Sequence, residues 1–176
     1  MKLKKGIILI IAFLGFGLSN INAQSKFGYV NATELLYLMP EMKTVNHVLD
    51  SFQLTLDKEY KALVDDFNQA VQQCEKTEAG PLRQLCEEEL AKKQEILYKA
   101  QETFKSEIME KQNKLIQPLN DKILKSIKEV AIEKGLHYVF DISMGVLLNW
   151  DEKDNIDKDV RKKLGIAEDA KLDGTK

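Results

Sequence analysis

The sequence predicts an α+β protein, mainly α, in which a long antiparallel helical hairpin (a coiled-coil arm) projects from a small β-sheet base. Three observations support this fold class. A narrow apolar stripe at helical spacing runs through residues 42–118 and is interrupted once, at 79–81. Short segments rich in aromatic and β-branched residues stand on both sides of that stretch. The chain also has only 9 Gly and 3 Pro in 176 residues, which favours long helices.

Residues 1–23 have the features of a cleaved signal peptide. Three lysines precede a run of thirteen largely apolar residues, 6–18, which is short for a membrane span, and Ala23 supplies a small residue at the cleavage site. We therefore expect export to the periplasm; an uncleaved membrane anchor is the alternative. Without this segment the chain has 23 basic and 28 acidic residues, and the net charge of −5 gives no general positive field for nucleic acid.

Residues 24–41 are expected to form the first part of an oligomerisation base. The stretch 26–31 reads Lys-Phe-Gly-Tyr-Val-Asn, which predicts a strand. Asn31 and Glu34 have the spacing of a capping box, so a short helix should follow the strand. Pro40 then restarts the chain into the long helix.

Apolar residues repeat every three or four positions in each half of the arm, 42–118, which is typical of a coiled-coil seam. The seam of the first helix consists of Val45, Leu49, Phe52, Leu56, Tyr60, Leu63, Phe67, Ala70 and Cys74. The seam of the second helix consists of Cys86, Leu90, Lys93, Leu97, Ala100, Phe104, Ile108, Lys111 and Leu115. In each seam the alternation of three- and four-residue steps is broken once by two successive four-residue steps. Such a stutter relaxes the supercoil.

The two seams mirror each other about Gly80. Residue numbers paired across the hairpin sum to 160, so that Cys74 meets Cys86. Gly80 suits the left-handed residue after a helix end, and Pro81 suits the first turn of the next helix. The sequence therefore predicts an antiparallel hairpin with its tip at 79–81.

Cys74 and Cys86 lie six residues before and six residues after Gly80. In an oxidising compartment this placement predicts a disulfide between them. Two free buried thiols are the main alternative. A metal site is a weaker one, because His47 and His137 lie too far along the chain to supply further ligands at the tip.

The second part of the base is expected at 119–165. The returning helix carries Pro118, which predicts a kink, and it should end at Gly135. The remaining predicted segments are a strand at 137–142, a strand at 146–150, a final helix at 156–164 and a flexible tail at 166–176.

Three short strands cannot cover their own edges and apolar faces, so we expect the base to form an oligomer. The candidate interface residues are apolar side chains of these strands: Phe27, Tyr29, Val30, Val139, Phe140, Ile142, Leu147 and Trp150.

The sequence contains no recognisable nucleophile motif, phosphate-binding loop or metal-ligand cluster. His47 is expected to be solvated on its helix, and His137 is expected to pack or to form a hydrogen bond. We therefore name no catalytic, metal-binding or cofactor-binding residue, and we expect a protein that is not an enzyme and has no cofactor.

The order of these segments resembles the Skp/OmpH family of periplasmic chaperones. The matching parts are the signal peptide, the opening strand at 26–31, the segment 36–41, the long hairpin, the closing strand at 138–142 and the short final helix. The resemblance implies a homotrimer whose sheets form a small intersubunit β-barrel and whose arms enclose a cavity. It also implies a holdase that keeps unfolded outer-membrane proteins from aggregating without ATP.

One feature departs from the family pattern. Family members are often strongly basic, which suits lipopolysaccharide, whereas this chain without its first 23 residues carries a net charge of −5. Lipopolysaccharide binding is therefore not expected. A structural or adaptor coiled coil of the cell envelope is the alternative function.

Overall fold

In the computed structural model of the chain, residues 26–172 are described, and the elements follow the predicted order. Two short 3-10 turns, Ile142–Met144 and Glu152–Asp154, lie between the second strand and the last helix. The mainly helical α+β class is confirmed. The predicted signal peptide, residues 1–23, lies outside the described residues. The elements are β1 (Phe27–Val30), α1 (Ala32–Leu38), α2 (Glu41–Glu75), α3 (Pro81–Lys134), β2 (Tyr138–Asp141) and α4 (Asp157–Leu164).

The sheet consists of β1 and β2, which pair in parallel with Phe27 opposite Tyr138 and with the same register along both strands. Parallel strands need a long crossover connection, and here the whole hairpin is that connection. Gly28 permits the close packing beside the sheet, because a Cβ at this position would lie 2.8 Å from Leu136 Cδ1 and 3.2 Å from Ile156 Cγ2. The sheet therefore holds the two ends of the hairpin side by side.

Polar side chains from three elements hold the start of α1. Asn31 Oδ1 accepts a hydrogen bond from the Glu34 amide at 3.0 Å, as the capping box predicts. Asp141, at the end of β2, accepts from the Ala32 amide at 3.2 Å, and Asp157, at the start of α4, accepts from the Asn31 amide at 3.1 Å. Negative charge near a helix N-terminus is favourable. These contacts join the start of α1 to the end of β2 and to the start of α4.

The hydrophobic core lies in the base, where α1, α4 and the adjoining ends of α2 and α3 meet. Leu35, Val130 and Val160 are completely buried there. Ion pairs at the rim join α4 to the rest of the base, with Arg161 lying 2.6 Å from Glu34. The core also contains Val30, Met39, Met42, Val45, Ile123, Ile156, Leu164 and Ile166.

Two predictions for the base differ from the structure. The strand expected at 146–150 is not formed in the single chain. At the outer edge of β1, the Tyr29 carbonyl instead accepts from the Ile156 amide at 3.1 Å. The tail expected to be flexible from residue 166 begins with a buried residue. Ile166 is in the core, and its amide donates to the Arg161 carbonyl at 3.0 Å.

The ends of the long helices also differ in detail from the prediction. Helix α2 ends at Glu75 with Lys76 in a right-handed conformation, so Gly80 does not terminate it. Gly80 instead precedes α3, where its φ of 141° is accessible to glycine, and Pro81 occupies the first turn as predicted. Helix α3 continues through Pro118 to Lys134. None of the helices within residues 26–172 is long and apolar enough to cross a membrane.

The location of the core generates the first prediction. Leu35→Ala should lower the free energy of unfolding by about 2–5 kcal/mol, because it leaves a cavity among fully buried side chains. Leu54→Ala is the matched control, since Leu54 is 60 % exposed on α2 and its loss should cost less than about 0.5 kcal/mol. Urea denaturation followed by circular dichroism measures both, and equal losses would contradict this core.

Candidate functional site

The arm is formed by α2 and the facing part of α3, which meet along the seam predicted from the sequence. All eighteen predicted seam residues are buried or half-buried, whereas most other residues of the arm are exposed. At a rise of 1.5 Å per residue, α2 is about 50 Å long. The arm therefore has one internal apolar stripe and a mainly polar outer surface.

Two lysines in the seam of α3 have partners on α2. The Lys93 ammonium donates a hydrogen bond to Asp66 and lies 3.8 Å from Glu89. The hydrogen bond to Asp66 is the main reason why the pKa of Lys93 is raised. The Lys111 ammonium lies 5.7 Å from the ring centroid of Phe52, in the range of a cation–π contact. Both lysines therefore fit at the edge of the seam without interrupting it.

The tip is closed by one covalent link and one polar link. Cys74 and Cys86 are joined by a disulfide, with their Cα atoms 5.6 Å apart. The Arg83 guanidinium donates to the Cys74 carbonyl at 2.9 Å and to Glu87 at 3.0 Å. A cation is favourable at a helix C-terminus, so Arg83 caps α2 from across the tip. Sequence reasoning missed Arg83, whose only signal is an arginine in the first turn after the tip.

Charge is distributed unevenly along the arm. Its distal half, residues 65–95, contains eight acidic and four basic residues, whereas the remainder of 42–118 contains six acidic and seven basic residues. Glu75, Glu78 and Glu88 are exposed near the tip. The negative potential of the arm is therefore concentrated at its free end, which disfavours phosphate-bearing partners there.

Five of the predicted interface residues lie at least partly inside the chain. Tyr29 and Val30 are buried by contacts within the base. Val139, Ile142 and Leu147 are half-buried. These side chains therefore contribute to packing within the single chain.

The other three predicted interface residues are exposed aromatic side chains. The rings of Phe27 and Phe140 lie 6.5 Å apart, and the Trp150 ring lies 5.7 Å from Tyr29. Phe27 and Phe140 therefore form an exposed aromatic pair on the base, and Trp150 adjoins the buried ring of Tyr29. Sequence reasoning did not select four further exposed apolar residues in the same segment of the chain: Tyr138, Met144, Val146 and Leu148.

A polar cavity of about 640 Å³ lies beside α4 in the base. Burial raises the pKa of Asp157, which lines it, although the hydrogen bond from the Asn31 amide opposes this shift. Arg161 binds Glu34 and donates to the Ala170 carbonyl at 3.2 Å, so it links α4 to α1 and to the segment that follows α4. This cluster holds the base together. Within residues 26–172, no group of three or more His, Cys, Asp and Glu side chains is arranged to hold a metal ion.

A model of a known protein family matches most of the chain. The family model described as outer membrane protein (OmpH-like) matches residues 26–164. The matched stretch begins one residue before β1 and ends with the last residue of α4, so it contains the base and the complete arm. A search of curated proteins found no match.

The closure of the tip generates the second prediction. The Cys74→Ser/Cys86→Ser double variant should exchange amide hydrogens faster across residues 72–88, because in the chain-entropy model a bridge closing so short a loop contributes about 3 kcal/mol. Exchange in the base should not change, because the core there is independent of the bridge. Hydrogen-exchange mass spectrometry measures both regions, and reduction of the wild-type protein should reproduce the effect. Two free thiols in protein purified under oxidising conditions would contradict the bridge.

Proposed function

The chain belongs to the OmpH-like family of periplasmic outer-membrane-protein chaperones, and we propose that it is an ATP-independent holdase working in the periplasm. In this proposal the protein binds unfolded outer-membrane proteins in a cavity between coiled-coil arms. The observation that carries the proposal is a long, mainly polar arm fixed at one end to a base with an uncovered apolar surface. A base of this kind brings several arms together, and the arms can then surround a client.

The apolar surface of the base supports assembly into a homotrimer. The segment that follows β2, together with both strands, exposes seven large apolar side chains: Phe27, Tyr138, Phe140, Met144, Val146, Leu148 and Trp150. Monomeric soluble proteins seldom expose so many in one region, and a subunit interface is the usual reason. The number of three subunits comes from the family, whose members form trimers in general.

The segment 146–150 suggests how the subunits join. Val146, Leu148 and Trp150 alternate with Leu147 and Asn149, which is the pattern of a strand with one apolar face. A strand needs a neighbouring edge, and within residues 26–172 of the protomer this segment pairs with none. We propose that the edge comes from another subunit, so that the predicted third strand forms on assembly and contributes to a small intersubunit barrel.

The charge of the arm argues against lipopolysaccharide as a partner. Lipid A and the core sugars carry phosphate groups, and the exposed carboxylates near the tip would repel them. The same net negative charge gives no reason to expect nucleic-acid binding. Unfolded polypeptides are therefore the partner class that this proposal retains.

The assembly model generates the third prediction. The mature protein should have three times the mass of one chain at micromolar concentration, as measured by size-exclusion chromatography with light scattering. Phe140→Asp should lower this mass, because a carboxylate in an apolar interface is costly to desolvate. Tyr37→Asp is the matched control, since Tyr37 is also an exposed aromatic residue of the base but lies on α1 outside the proposed interface. A wild-type monomer would reject the trimer.

The holdase activity generates the fourth prediction. When an outer-membrane β-barrel protein is diluted from urea, equimolar trimer should suppress its light scattering without any added nucleotide. The Phe140→Asp variant should lose this protection, because separated arms cannot enclose a client, and Tyr37→Asp should keep it. If the assembled wild-type protein leaves the scattering unchanged, the chaperone function is wrong and an adaptor role for the arms is favoured.

A further inference from the structure

The two helices of the arm differ in the number of apolar side chains that they expose. Within residues 42–118, α2 exposes one large apolar side chain, Leu54. Helix α3 exposes five over a similar length: Leu82, Leu85, Ile96, Tyr98 and Met109. None of the five belongs to the seam between the helices, so packing within the arm does not explain them.

These side chains are separate points along α3. Tyr98 and Met109 are eleven residues apart, which is about three helical turns, so they lie on one face with about 16 Å between them. Leu85 and Ile96 have the same spacing. The charged groups beside them are paired along the helix, with Glu95 lying 2.5 Å from Lys99. At 3.6 residues per turn the two pairs lie roughly 200° apart around the helix axis, so α3 carries one pair of isolated apolar contacts on each flank of its seam.

A pair of isolated apolar contacts fits an unfolded chain better than a folded partner. The two members of a pair lie about 16 Å apart along the helix, so they do not form the contiguous, well-packed apolar core of a stable protein interface. A second copy of this chain would therefore not dock stably here. An extended polypeptide is different, because about five residues span 16 Å and many weak contacts along one chain reinforce each other.

We infer that α3 is the helix that contacts the client, and that Leu85, Ile96, Tyr98 and Met109 bind apolar side chains of unfolded outer-membrane proteins. This inference rests on the proposed holdase function and adds the residues that carry it. Helix α2 then serves mainly as a support that keeps α3 straight along the seam. The acidic tip contributes less to capture than the middle of α3.

Photo-crosslinking at matched heights on the two helices tests the inference. The photoreactive residue p-benzoylphenylalanine replaces Tyr98 or Met109 on α3, and in two control proteins it replaces Ala62 or Ser51 on α2. Both control positions are exposed, and each pairs with its test position under the register that sums to 160. Because all four proteins carry the same added side chain, only its position differs. Crosslinks to an unfolded β-barrel protein should be at least severalfold stronger from α3. Equal yields, or stronger yields from α2, would overturn the inference.

A substitution series provides a second, independent readout. The variant with Leu85→Gln, Ile96→Gln, Tyr98→Gln and Met109→Gln keeps good helix formers, and it should weaken client binding about tenfold. Leu54→Gln, the control on α2, should leave binding unchanged. If the wild type binds no client, the proposed function fails; if the wild type binds and the fourfold variant binds equally well, this inference fails alone. A fourfold variant of reduced oligomer mass would assign these residues to subunit contacts instead and would also overturn it.

Discussion

The pairing of β1 with β2 is the constraint on which the rest of the structure depends. The two strands lie side by side although 111 residues separate their paired positions, as the hydrogen bond between Lys26 and His137 shows. Closing so long a connection costs conformational entropy, which the packed core of the base and the seam of the arm offset. An ion pair between Glu41 and Lys122 joins α2 to α3 near the base, and it lowers the pKa of Glu41. The hairpin is therefore held at its origin, and its far end is free.

The arm could be predicted from the sequence because its determinants are local and repeated. Each seam position is one of many with the same spacing, and the mirror relation about Gly80 fixed the pairing of the helices. The segment 146–150 shows the limit of the same reasoning, because the alternation around Leu148 is present but the segment pairs with no strand of the same chain. Pairing of strands is non-local, so a pattern shows only that a segment is able to form one. Gly80 was assigned to the wrong helix end because a Gly-Pro pair is compatible with either cap.

The candidate site was only partly predictable for a related reason. Cys74 and Cys86 stand out as the two cysteines at equal distances from the tip. Residues such as Tyr98 and Met109 do not stand out, because a single apolar residue outside a seam is common on any helix surface. They become informative only because α3 exposes more large apolar side chains than α2. That difference is visible only when the exposure of every side chain is known. In the proposed function the base and the arm divide the work: the base supplies stability and assembly, and α3 supplies the contacts with the client.

The central claim is that several arms joined by one base hold a client between them. Small-angle X-ray scattering of the complex with an unfolded outer-membrane β-barrel protein tests it most directly, since one experiment gives both mass and maximum dimension. The account predicts a mass equal to three chains plus one client, and a maximum dimension close to that of the trimer alone because the client occupies the space between the arms. A complex that contains a single chain, or one that is much longer than the free trimer, would contradict the account.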